Sequence, residues 1–158
     1  MTVLPIKIYP DPILSQRGRL LKLEEIKSPK IKKLIANMRE TMKLYKGVGL
    51  AAPQVGESIS LCVINFQGEE HVLINPKISS KSWRKRIFDE GCLSFPGKFI
   101  PVKRSESVKV KALNEQGEKI KLSGEGFLSE TLQHEIDHLH GILFISYEVK
   151  KKKTKNGK

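Results

Sequence analysis

The amino-acid order predicts an α+β fold, with antiparallel β-sheets packed around a central helix and an amphipathic helix nearer the N-terminus. Three observations predict it. Apolar residues recur at helical spacing from Ile31 to Tyr45, short β-prone runs fill the stretch from Ile59 to Ser123, and a second helical pattern spans Gly126 to His140. For the first helix, Ser28 followed by Pro29 is a start signal, Ile31, Leu34, Ile35, Met38, Met42 and Tyr45 form the buried stripe, and Gly47 supplies a stop. The β region reads as ISLCVIN, HVLIN, the stretch around Trp83 to Phe88, VKVKAL and EKIKLS. The last two flank Asn114-Glu115-Gln116-Gly117 and predict a hairpin, with lysines alternating against apolar side chains as in a sheet wetted on one face.

The helix from Gly126 has two sides to cover. At about 100° per residue, Leu128, Leu132, Ile136 and Leu139 share one stripe, while Phe127, Thr131, His134 and His138 share another. Such a helix runs through the interior, stopping at Gly141.

Length and composition bound the rest. A chain of 158 residues suits one domain, expected at 1–148, with a disordered lysine-rich tail at 149–158. No apolar run approaches the roughly 20 residues of a bilayer span, and no export signal is visible in MTVLPIKIYPDPIL, so a cytoplasmic protein is expected. Cys62 reads as a small buried hydrophobe and Cys92 as something else, so a structural disulfide is not expected. The net charge of +12 draws on six lysines in the tail, which suit transient contact with RNA or a ribosome surface, or simply a solvated end. Neither a membrane nor DNA is an expected partner.

The strongest chemical signal is His134-Glu135-Ile136-Asp137-His138. Four-residue spacing sets two imidazoles one turn apart on one face, able to share an ion, with Glu135 beside them to handle a proton of water. The bland alternative is a pair of satisfied core histidines. A firmly held catalytic ion needs a third ligand, and the candidates are Cys92, Glu90 and Asp89, of which a thiolate is the best. Cys92 acting as a nucleophile paired with a histidine is the other use of that thiol.

Three separated segments, GVGLAAPQ at 47–54, EGCLS at 90–94 and QHEIDHLHG at 133–141, together resemble the signature of the peptide deformylase family. The resemblance implies a fold arranged around a central metal-binding helix. It also implies a metal-dependent hydrolase that removes the N-formyl group from the formylmethionine of newly made, nascent polypeptides, in a bacterial cytoplasm. By the same resemblance Cys92, His134 and His138 hold one divalent transition metal ion, Fe2+ in the native state with Ni2+, Co2+ or Zn2+ able to substitute. Glu135 is implied as general base and then general acid. The Gln54 amide and the Leu93 N–H stabilise the charge that develops on the formyl oxygen. Gly47 and Gly49 present backbone to an extended peptide, and Val48, Phe127 and Thr131 form walls for the methionine side chain. After the second motif many bacterial members carry an arginine near the substrate's entry path, whereas this segment reads FPGKFIPVKR with Lys98 and Phe99 nearby; Glu130 falls near the pocket wall, and Asp137 and Gln133 fall on the outer side of the helix.

Two other classes compete. A zinc endopeptidase of the H-E-x-x-H kind needs a downstream histidine or carboxylate ligand, and only His140 and Glu148 remain there. A basic RNA- or ribosome-binding module accounts for the tail and leaves the three motifs unexplained.

Overall fold

The protein is described by a computed structural model over residues 1–150. Its elements run α1 (Leu23–Ile26), α2 (Pro29–Leu44), β1 (Gly49–Ala51), β2 (Leu61–Phe66), β3 (Glu69–Lys81), β4 (Lys85–Cys92), β5 (Phe95–Ser105), β6 (Ser107–Leu113), β7 (Lys119–Glu125) and α3 (Gly126–Leu139). The strands form a five-stranded antiparallel sheet in the order β1-β2-β3-β6-β7 and a separate β4-β5 hairpin. No helix among the described residues is long and apolar enough to cross a membrane.

The sheet is clasped between the two long helices. On one face, Ile35, Met38 and Met42 of α2 pack with Leu50, Leu61, Val63 and Ile74. On the other, Leu132, Ile136 and Leu139 of α3 pack with Ala51, Cys62, Ile64, Leu73, Val108 and Val110. The β2 strand is therefore buried on both faces, which is why it reads as an unbroken apolar run, whereas β6 and β7 are covered by α3 alone and keep their lysines in water. A third cluster, Leu14, Phe95, Ile100, Val102, Leu143 and Phe144, closes over α3 from the hairpin side. This is the cover that the histidine side of the helix requires.

Local chemistry explains the element ends. The Ser28 hydroxyl accepts from the Ile31 N–H, with Pro29 in the first turn of α2. The helix ends one residue before Tyr45, which is half exposed rather than part of the core stripe. The left-handed residue there is Lys46, at φ 52°, so the expected stop at Gly47 is made one residue earlier. The β6-β7 hairpin turns at 114–117 as expected, with Asn114 Oδ1 accepting from the N–H groups of Gln116 and Glu118. Gly141 ends α3 at φ 73°, pressed so close to Ser15 that a Cβ would lie 2.7 Å from its carbonyl oxygen. Trp83 lies outside any strand, and β4 begins at Lys85.

One residue past the boundary expected at 148, the Val149 N–H donates to the Pro101 carbonyl at 2.8 Å. Residues 151–158, most of the expected lysine tail, lie outside the described residues.

Candidate metal centre

Helix α3 carries His134 and His138 one turn apart, and their Nε2 atoms stand 3.2 Å from each other. The β4 strand ends at Cys92, whose Sγ is 3.3 Å from His138 Nε2. These three donor atoms all lie within 4.8 Å of one another, and among the described residues they form the one grouping of this kind. Atoms bound to one tetrahedral ion at about 2.0–2.3 Å stand roughly 3.4–3.6 Å apart, so the cluster fits a transition ion closely. Asp89 and Glu148 lie outside it, and so does His140, as its position off the ligand face implies.

Glu90, the rival ligand, is committed elsewhere. Its Oε1 meets His134 Nδ1 at 2.7 Å, and both its oxygens take Arg104, Nε at 2.7 Å and Nη2 at 3.0 Å. The Arg104 guanidinium also donates to Asp137 at 2.5 Å and lies 4.9 Å over the Tyr147 ring. A buried chain thus runs from Asp137 through Arg104 and Glu90 to His134, fixing the imidazole so that Nε2 faces Cys92. Burial alone would discharge Glu90, but its bonds to His134 and Arg104 win and hold its pKa below the usual carboxylate value. Burial opposes charge on His134 as well, and there the bonds to Cys92 and Glu90 outweigh it and raise the pKa. His138 lacks a carboxylate; burial, with the charges of His134 and Arg104, pushes its pKa well down and keeps a lone pair free for an ion. Its Nδ1 is buried with no partner among the described residues.

Gln54 reaches the cluster from a short 3-10 turn, Ala52–Val55. Its Oε1 accepts from the Ala51 N–H at 2.9 Å, which turns the NH2 toward Ser94 Oγ at 3.1 Å and Cys92 Sγ at 3.5 Å. The N-terminal segment braces the same corner, Lys7 N donating to Gln54 O and Tyr9 N to Ser94 O. Gln133 ties α3 to the sheet corner through Ser105, accepting from its N–H and donating to its carbonyl.

The cluster opens into a cavity of about 780 Å³ whose wall includes Gly47, Val48, Gly49, Gln54, Leu93, Phe99, Phe127 and Glu135. Glu135 is buried, and burial lifts its pKa to about 7; its Oε2 has no partner among the described residues. Gly49 makes room for it, since a Cβ there would fall 2.6 Å from Glu135 Oε1. Gly47 does the same for Leu93, with a Cβ 3.0 Å from its Cδ1. Both glycines therefore serve neighbouring side chains, beyond the backbone access expected of them.

One expected wall residue is displaced. Thr131 is buried, its hydroxyl turned back onto the Phe127 carbonyl at 2.9 Å, and it does not reach the cavity. Glu130 lines the cavity instead, with Oε2 buried and unpartnered among the described residues. Arg104 was not anticipated at all. The alternation of Ile100, Val102 and Arg104 along β5 carries the signal, since it puts an arginine on the inward face.

Sequence and structure comparisons place the chain in a family. Residues 3–155 match the family described as polypeptide deformylase. A peptide deformylase from Dictyoglomus thermophilum is 45% identical over 139 residues, covering 88% of each chain. The crystal structure of peptide deformylase from Thermotoga maritima superposes with a TM-score of 0.90 at 38% identity, covering 95% of this chain and 100% of that one. A Met-Ala-Ser-bound peptide deformylase from Acinetobacter baumannii gives a TM-score of 0.89 at 35% identity, over 92% and 98% of the two chains.

Proposed function

Because the chain belongs to the polypeptide deformylase family, metal-dependent hydrolases that remove the N-formyl group from N-terminal formylmethionine, we propose how its own residues divide that reaction. The convergence of Cys92, His134 and His138 beside a buried, unpartnered Glu135 carries the assignment.

Cys92, His134 and His138 hold the ion. When bound, it acts as a Lewis acid that lowers the pKa of water toward neutrality and polarises the formyl oxygen. Glu135 takes the proton from the attacking water; burial places its pKa near the operating pH, where a base is most useful. The same carboxyl then returns the proton to the leaving nitrogen, and formate and a free amino terminus depart. Gln54, its NH2 already turned toward Cys92, donates to the formyl oxygen as charge builds there, together with the Leu93 N–H. The methionine side chain lies along Val48, Phe127 and Glu130, with peptide backbone beside Gly47 and Gly49. The Met-Ala-Ser bound in the A. baumannii relative supports a peptide occupant that begins with methionine.

The finer assignments rest on chemistry and resemblance. Thiolate with two imidazoles suits Fe, Co, Ni and Zn alike, and the family resemblance favours Fe2+ as the native ion. The catalytic unit comprises the body of the chain, acting on nascent chains in a bacterial cytoplasm, and the lysine-rich end makes transient ribosome contact through its charge.

The test is formate release from formyl-Met-Ala-Ser by anaerobically purified protein, with metal analysis and Glu135→Ala. Turnover with about one ion per chain, lost in the variant while the ion stays bound, is expected. An iron- or nickel-loaded protein that releases no formate would overturn the assignment.

A further inference from the structure

Between β3 and β4 the chain makes a short turn, Ser82-Trp83-Arg84, that lifts its single tryptophan into solvent; Trp83 is 88% exposed. The turn is pinned. Ser82 N donates to Ser107 O and Glu106 N to Arg84 O, each at 2.9 Å, while Ser82 Oγ donates to Arg84 O at 2.8 Å and accepts from Ser107 N at 3.1 Å. A fixed backbone therefore holds the indole away from any core, against the burial that ordinarily draws large aromatic residues inward.

Cations flank it along the chain. Lys81, Arg84, Lys85 and Arg86 are all exposed, and none has an acidic partner among the described residues. The strand that delivers the turn also carries Lys77, which stands directly opposite Lys111, which in turn stands opposite Lys121. Lys109 and Lys119 lie two positions further along their strands. Like charges opposite one another repel, and no ion pair among the described residues relieves this row. From Lys77 to Trp83 is about 20 Å of extended chain, a span of a few nucleotides. None of these residues lines the metal-site cavity.

We propose that this surface binds single-stranded RNA, with an unpaired base stacked on Trp83 and the phosphates following the flanking cations and the Lys77-Lys111-Lys121 row. An exposed indole flanked along the chain by exposed cations offers both halves of such a site, stacking for a base and charge for its backbone. Duplex RNA keeps its bases stacked inside and uses only the charge. A bilayer surface calls for contiguous apolar area, and the exposed large apolar side chains of this segment are Trp83 and Ile87 alone.

The experiment uses the full chain, metal-loaded, with a fluorescein-labelled 12-nucleotide single-stranded RNA of mixed sequence and a duplex of equal length. Because Trp83 is the only tryptophan, its fluorescence reports directly on stacking. Single strands are expected to bind and quench the indole, Trp83→Ala to weaken that binding about tenfold or more, and formate release from a short peptide to stay unchanged. Charge reversal at Lys77, Lys111 and Lys121 is expected to weaken binding and flatten its salt dependence. Binding without quenching, equal affinity in Trp83→Ala, preference for the duplex, or a blue shift of the indole on anionic phosphatidylglycerol vesicles without a response to RNA would each overturn the proposal.

Discussion

Replacing Gly49 by alanine places a methyl group where Glu135 now lies. The added Cβ would meet Glu135 Oε1 at 2.6 Å, Cγ at 2.7 Å and Cδ at 2.8 Å, while ordinary contact begins near 3.4 Å. One of the two must give by about 0.8 Å, the difference between 3.4 and 2.6. Gly49 is paired with Ile64 across β1 and β2 and is held there, so the carboxylate moves. A displacement near 1 Å at a reacting group costs on the order of a hundredfold in rate, or about 2.7 kcal/mol of barrier. The three atoms nearest the new methyl group all belong to Glu135 and none to Cys92, His134 or His138, so an ion held by those three should remain. The assay is kcat for formate release from formyl-Met-Ala-Ser beside metal content and a melting curve. A Gly49→Ala protein with its ion in place and kcat within a factor of about three of the parent would refute the claim that this glycine positions the base.

Other expectations follow from the buried charges and thiols. Arg104→Leu leaves Glu90 and Asp137 without their shared counter-charge, and urea unfolding should register a loss of about 3–5 kcal/mol; a loss below 1 kcal/mol would mean that the chain from Asp137 to His134 is not electrostatically held. Glu130→Gln should alter the pH dependence of stability. Burial raises the Glu130 pKa from 4.5 to about 7, so between those values the folded chain keeps a proton that the unfolded chain has lost. Stability in the parent therefore falls as pH rises from about 5 to 7, by up to about 3 kcal/mol from this group, and the variant should lack that decline; parallel stability–pH curves would contradict it. Cys62 is fully buried and burial pushes its thiol pKa well up, so a thiol reagent should label metal-free native protein at Cys92 alone and reach Cys62 only after denaturation. Two labels on the native chain would disprove this.

What sequence could show depended on how far apart the interacting residues lie. The helix bearing His134 and His138 was legible because a 3.6-residue period is local, and the pairing of two histidines with a glutamate announces its chemistry within five residues. Cys92 was found by asking what a third ligand must be, and the hairpin at Asn114 by its turn residues. Gln54 was legible through motif resemblance and Glu135 from its place between the two histidines, and the structure adds what orients them: the Ala51 N–H and the absent side chain at Gly49. Thr131 was misplaced because helical angle says which side a residue faces but not how far it reaches, and a threonine can satisfy itself on the preceding turn. The both-sided burial of β2 and the exposure of Trp83 depend on which helices cover which strands, and that is settled only by the assembled fold.

The arginine that joins Glu90 to Asp137 is itself roofed by Tyr147, and the His134 ring lies 5.5 Å from that of Phe144. Both aromatic residues come after Cys92, His134 and His138 in the chain. Domains form from the N-terminus as synthesis proceeds, so Cys92, His134 and His138, with Glu90 and Arg104, are made before the rings that cover them. A chain cut before Phe144 would keep the three donors and the links from Asp137 through Arg104 and Glu90 to His134, but it would lose the rings that cover Arg104 and His134, so the cost of the cut would fall on their shielding from water.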